Sequence, residues 1–176
     1  MKRVATMACT AIACALALST ALSAKGRTTR IVIRGAGLAS VEITDESVLR
    51  RFNVWAGAGT FVNDKEQREG FIVDWASGPV REPPPSTPRY EVRFYVPGAQ
   101  GEELLAYVVL YAPDADPRGA VHFPGRRKEW YDLNVRTIWR GPGVDGKWFR
   151  VSAAWHEVTR RLLDAARTSA DPDSAP

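Results

Sequence analysis

The sequence predicts an α+β domain: an antiparallel, meander-like β-sheet or partly open barrel, with a short helix in its N-terminal half and a C-terminal amphipathic helix. Three observations predict it. Residues 90–96 and 131–139 alternate apolar and polar with a period of two. Clusters of Gly, Pro and Asp recur between short apolar runs, which is turn chemistry. Trp155, Val158, Leu162 and Ala166 repeat at helical spacing, so one face of a last helix is apolar.

The chain starts with Lys2 and Arg3, then runs without charge from residue 4 to 24, and ends that stretch in Thr20-Ala21-Leu22-Ser23-Ala24. A basic start, an apolar middle and a small-residue exit are the layout of a secretory signal peptide. The expectation is a signal peptide over 1–24, cleavage near Ala24 and export to the periplasm or medium. Two alternatives compete. The run is near the roughly 20 residues of a membrane anchor, but Ala and Thr drive insertion weakly. A lipoprotein would be acylated at Cys14, yet Ala11 stands where a lipobox usually has Leu. A membrane is therefore expected to touch this protein only through the leader, if it stays on. Cys9 and Cys14 both lie in the leader, so the mature domain has no disulfide and depends on its apolar core. The length after residue 24 suits one such core.

Arg30-Ile31-Val32-Ile33-Arg34 reads as a buried strand, and Val41-Glu42-Ile43 as a second. Thr44 or Asp45 suits an N-cap, and Val48, Leu49 and Phe52 make the apolar side of a two-turn helix ending near Asn53. Val54 to Phe61 is a glycine-broken loop, and Phe71 to Trp75 a strand. Five prolines over 79–88 predict an extended surface loop, read as a spacer inside one domain that spans 25–167. Residues 90–96 and 104–111 should form a hairpin, with the second strand apolar on both faces and hence central. Ala120 to Phe123 is a further strand. Residues 131–139 and 147–151 read as another hairpin. Ser152 caps the last helix, and 168–176 reads as a disordered tail.

The formal charge of +4 falls to +2 without Lys2 and Arg3, too near balance for a nucleic-acid binder. Arg outnumbers Lys 19 to 5, a composition bias that points to a bacterial source.

Six tryptophans are the chemical signal. An indole face is electron-rich and stacks on the apolar C–H face of a sugar ring. Trp139 and Trp155 fall on apolar sides of their elements and read as core. Trp130 and Trp148 fall out of phase and are the expected exposed pair. Arg126, Arg127 and Lys128 form a basic triplet beside Trp130, and Arg136 and Arg140 share one face of the expected strand. Trp130, Trp148, Arg126, Arg127, Arg136 and Arg140 are thus the candidate binding residues. His122 and His156 lack the Cys or carboxylate spacing of a zinc site, and Asp114-Ala115-Asp116 reaches Gly125 where a calcium loop needs Glu. No nucleophile elbow or nucleotide loop is present. No catalytic residue, metal or cofactor is assigned.

Val41-Glu42-Ile43-Thr44-Asp45, and Gly146-Lys147-Trp148-Phe149 with Trp155, resemble segments of uncharacterised exported bacterial proteins. The resemblance covers scattered segments and implies no activity. The reading favoured is a non-catalytic binding or interaction module at the cell envelope, its partner a glycan or a protein. The alternatives are a small envelope-directed hydrolase with a carboxylate or His–carboxylate site, and an accessory protein whose sheet edge pairs with a partner strand.

Overall fold

Gly35-Ala36-Gly37 reverses the chain between the first two strands, with Gly35 at φ 122°. The computed structural model describes residues 27–58, 60–62, 64–66, 70–115 and 117–170. The expected leader with both cysteines, and residues 171–176, lie outside them. In chain order the elements are β1 (Arg30–Gly35), β2 (Leu38–Ile43), α1 (Glu46–Leu49), β3 (Phe61–Val62), β4 (Lys65–Glu66), a 3₁₀ turn (Trp75–Ser77), β5 (Pro79–Val80), β6 (Tyr90–Pro97), β7 (Glu103–Ala112), β8 (Ala120–His122), α2 (Tyr131–Thr137), β9 (Trp148–Arg150) and α3 (Ala153–Ala170).

Seven strands form one antiparallel sheet in the order β2-β1-β6-β7-β8-β9-β5. The end strands do not meet, so the sheet is open and not a barrel. The α+β class therefore holds. Strands β6 to β9 run as a meander, and the β1–β2 hairpin adds to the β6 edge. The short β3–β4 hairpin stands apart.

In antiparallel strands, residues directly opposite share a face. Ile31 faces Phe94, Phe94 faces Tyr107, Val92 faces Val109, Tyr111 faces Val121, and Val121 faces Phe149. All of these are buried, and they make the inner face. Helix α3 presses Trp155, Thr159 and Leu163 onto it, spaced i, i+4, i+8. The Trp155 ring meets Phe52 and Tyr111 edge-on at 5.1 and 5.9 Å. The Tyr111 hydroxyl lies 2.9 Å from Thr159 Oγ1. Phe71, Trp75 and Phe123 cover the rest of the inner face as an aromatic cluster.

Capping follows the sequence closely. Asp45 accepts the Ser47 N–H at 2.7 Å, and hydrogen bonds from Ser47 hold its carboxyl below the usual range. Ser152 accepts from Trp155 N at 3.2 Å.

Several expectations need correction. Helix α1 is a single turn, because the chain must swing Phe52 and Val54 into the core. Residues 71–75 make one bridge, Val73 to Val151, and then a 3₁₀ turn. The last helix runs on through Ala170, past the start of the expected tail. Pro79–Val80 pairs with β9 as the sheet's last strand, where a missing N–H is tolerated. The largest difference is 131–139, a helix and not a strand. Its partner segment, 148–150, pairs instead with β8 and β5. No helix among the described residues is long and apolar enough to cross a membrane.

Candidate functional site

The outer face of the sheet is not simply solvated. One cross-strand row runs Arg34, Glu91, Leu110, His122, Trp148, Val80 over β1, β6, β7, β8, β9 and β5. The proline-rich segment and residues 124–130 rise on either side of the row. Between them lies a cleft of about 390 Å³, floored by Leu110, His122 and Trp148 and walled by Glu82, Arg89, Glu91, Lys128, Glu129 and Trp130.

Trp130 enters the cleft because of an unusual backbone. It is the N-cap of α2 at φ 68°, and Arg127 just before it has φ 66°. For a residue as bulky as Trp this left-handed conformation is a genuine outlier, costing about 1–2 kcal/mol. Such strain persists where the surroundings impose it, and it concentrates at functional sites. Here the indole Nε1 donates to Glu91 Oε1 at 3.1 Å, and the Arg93 guanidinium lies 4.8 Å from the ring centroid. Glu91 also accepts two hydrogen bonds from Arg93, at 2.9 and 2.7 Å. An indole, a carboxylate and a guanidinium thus hold one another on the outer face.

On the floor, His122 and Trp148 lie with ring centroids 5.0 Å apart and planes tilted by 37°. Arg89 stands 5.2 Å from the Trp148 centroid and donates to Glu82 at 3.1 Å. His122 Nδ1 is shut off from solvent and makes no hydrogen bond of ordinary geometry with a described residue. Burial pushes the imidazole below its usual pKa. The backbone at Gly146 and the Glu82 carboxylate oppose this, while Arg89 and Lys128 add to it. The imidazole is therefore neutral near pH 7 and offers one nitrogen as an acceptor.

The structure brings together two of the six expected site residues and scatters the rest. Trp130 and Trp148 share the cleft. Trp148, however, is only 5% exposed, a correction to its expected exposure. Its phase is right: it points away from the inner core. That outer side is covered, and Trp148 packs with Ala112, Ala115 and Ala120 in a second small core. Arg126 and Arg127 are exposed on the loop before α2. Arg136 is exposed on α2, where its Nε donates to the Asp132 carbonyl at 3.0 Å. Arg140 is a second correction. It is buried in the inner layer, away from any basic patch. Trp139, expected in the core, is 64% exposed, because its strand does not exist.

Sequence reasoning missed Arg89, Glu91, Arg93 and His122 as site residues. The alternation of β6 did put Glu91 and Arg93 on one outward face. Nothing local said that His122 and Trp148 would stand beside them. No group of three or more His, Cys, Asp or Glu among the described residues is placed to hold a metal ion. No protein-family model, curated protein or solved structure matches this chain.

Proposed function

We propose that this chain is an exported, non-catalytic binding domain of the cell envelope, and that its outer cleft takes a carbohydrate. The observation that carries the reading is Trp130: a bulky indole kept in a left-handed conformation at the mouth of a cleft. A flat aromatic wall suits the apolar face of a sugar ring. The polar groups suit hydroxyls. Glu82, Glu91 and Glu129 are nearly matched by Arg89 and Lys128, so the lining carries no strong field for a polyanion.

Binding is favoured over hydrolysis because two of the three carboxylates that line the cleft are engaged. Glu82 is held by Arg89, and Glu91 by Arg93 and Trp130. His122 Nδ1 has no hydrogen-bond partner among the described residues, so that nitrogen forms no dyad with either carboxylate.

Calorimetric titration of the purified protein with neutral envelope oligosaccharides tests the proposal. Binding should persist at high salt. Trp130→Asn should weaken it by about two- to tenfold, the worth of one aromatic stacking contact. The same change should leave the unfolding midpoint nearly in place, because Asn tolerates the left-handed backbone. Absence of binding to any such glycan, or equal affinity in the variant, would sink the reading.

A further inference from the structure

Strand β7 has a neighbour on only one side along its first half. It pairs with β6 from Glu103 to Tyr111, but with β8 only from Leu110 to Ala112. Val108 finds a substitute partner in the Asn134 amide, which accepts its N–H at 2.9 Å and donates to its carbonyl at 2.7 Å. From Glu103 to Ala106, no further backbone or side-chain bond reaches that side among the described residues. Exposure grows toward the β6–β7 turn: Ala106 is buried, Leu105 half-buried and Leu104 47% exposed. A free edge presents unpaired N–H and C=O groups in a row, which is a template for another strand. At about 3.4 Å per residue this open stretch is about 14 Å long.

A groove of about 610 Å³ opens beside this edge. Leu104, Leu105 and Ala106 line it together with Trp55, Arg136 and Thr137. Its lining is mostly apolar, and Arg136 is the single charged residue in it. The neighbouring carboxylates are occupied. Glu103 is held by Arg30 at 2.6 Å and by the Thr29 hydroxyl at 3.0 Å. Glu102 folds onto the β6–β7 turn, where it accepts the Gln100 N–H at 2.9 Å. Arg136 spends only its Nε, on the Asp132 carbonyl, and no carboxylate among the described residues pairs with it.

We propose that this groove takes an extended peptide, which adds as a strand to the open edge of β7 and sets an acidic side chain on Arg136. The edge defines the class of ligand. Its outward backbone groups are matched in register only by another backbone in strand conformation. Arg136 defines the charge, since a guanidinium with free N–H groups holds a carboxylate through two parallel bonds. The occupant is a single slender chain and not a second copy of this fold. Helix α2 stands at the same edge at Val108, and a copy pairing there would bring its own helix against it. The surface lies apart from the cleft, and the inference does not depend on a glycan.

The test titrates the full chain into a panel of fluorophore-labelled hexapeptides, amidated at the C-terminus, in which Val and Thr alternate and one position carries Glu or Lys. Fluorescence anisotropy should show the Glu peptides binding several-fold more tightly than the Lys peptides, and Arg136→Glu should reverse that preference. N-methylating one alternating set of amides in the best peptide should weaken binding by about tenfold, the worth of two hydrogen bonds. Methylating the other set should cost much less, because an edge strand pairs on one side only. With the peptide bound, hydrogen exchange should slow at Leu104 and Leu105 but not in β2, which forms the far edge of the sheet. Trp130→Asn, in the cleft, should change none of this, which separates the result from failure of the glycan reading. No binding by any peptide, equal cost of the two methylated sets, a Glu preference that survives Arg136→Glu, or equal protection in β2 would overturn the proposal. So would protection at Leu104 that rises with protein concentration without peptide, which reports pairing between copies.

Discussion

Arg140 is a cation held among aromatic rings with no carboxylate partner among the described residues. Its guanidinium lies 4.8 Å from the Phe71 centroid, 5.3 Å from Tyr107 and 5.6 Å from Trp75. It donates to the Val54 and Ala56 carbonyls at 2.6 and 2.9 Å. Burial pushes its pKa below the usual value, with Tyr107 opposing, yet a guanidinium remains charged at ordinary pH. The ring quadrupoles and the carbonyl dipoles supply the negative end that a carboxylate would. Gly57 is part of the arrangement: a Cβ there would stand 2.6 Å from Arg140 Nη1 and 2.8 Å from the Trp75 ring, at a φ of 121°. Arg140→Met should lower unfolding stability by about 3 kcal/mol, because the carbonyls stay buried without donors. Arg140→Lys should recover only part of this, since an ammonium cannot reproduce the planar fork. Urea denaturation with an unchanged m-value would measure both. If Arg140→Met shifts stability by less than about 1 kcal/mol, the loop at 54–58 is held by something else.

Helix α2 explains how a segment with strand periodicity becomes helical. Strand β7 pairs with β6 along most of its length, but with β8 only through Leu110 to Ala112. Ahead of β8 its other edge needs partners. The Asn134 side chain provides them: Oδ1 accepts the Val108 N–H at 2.9 Å, and Nδ2 donates to the Val108 carbonyl at 2.7 Å. One amide side chain thus does what a neighbouring strand would do. Asn134 is buried, so the residue that alternation placed toward water faces the sheet. Thr137 and Arg136 turn their side chains back to carbonyls four residues earlier, which steadies the short helix. Asp132 in the first turn and Arg136 in the last also suit its dipole. Asn134→Leu should cost about 2–3 kcal/mol, the price of an orphaned buried N–H and C=O. Hydrogen exchange should show protection at Val108 falling far more than at Leu110, whose strand partner is intact. Equal loss at both positions would mean that α2 supports the edge as a block and Asn134 has no special part.

At the scale of the molecule, the sheet buries residues on both faces, and only one of them is covered by a long helix. The inner face takes α3 and the aromatic cluster. The outer face takes the proline-rich segment, the approach to α2, and a core small enough to leave a cleft. A half-buried histidine at that junction ties stability to pH. The His122 pKa is lower in the folded protein than in the unfolded chain, first through burial. The unfolded chain therefore binds more protons as pH falls below the free imidazole value of about 6.5. Stability is full above that pH and declines below it. Glu82, Arg89 and Lys128 face the imidazole and shape the size of the effect. His122→Gln should flatten this part of the profile. Thermal unfolding of both proteins from pH 7.5 downward would measure it, and parallel curves would refute the assignment.

The elements built on local signals were legible in advance. Capping at Asp45 and Ser152 rests on neighbours two or three residues away, the β6–β7 hairpin on alternation joined by a turn, and the last helix on its apolar face. The α+β class followed from these. The outer cleft did not, because it depends on which strands become neighbours. Glu91 and His122 are 31 positions apart and share a row only because β7 lies between their strands. For 131–139, alternation pointed to a strand, but the free edge of β7 required a hydrogen-bonding side chain, and tertiary pairing outweighed a weak local preference. The same difference sent Arg140 inward and Trp139 outward. Chain chemistry alone therefore determined the caps, the β6–β7 hairpin with the apolar side of β6, and the last helix. Tertiary structure decided which face was covered, where Trp130 and Trp148 met, and which arginine lost its water, since those outcomes follow from long-range contacts that no short window of sequence contains.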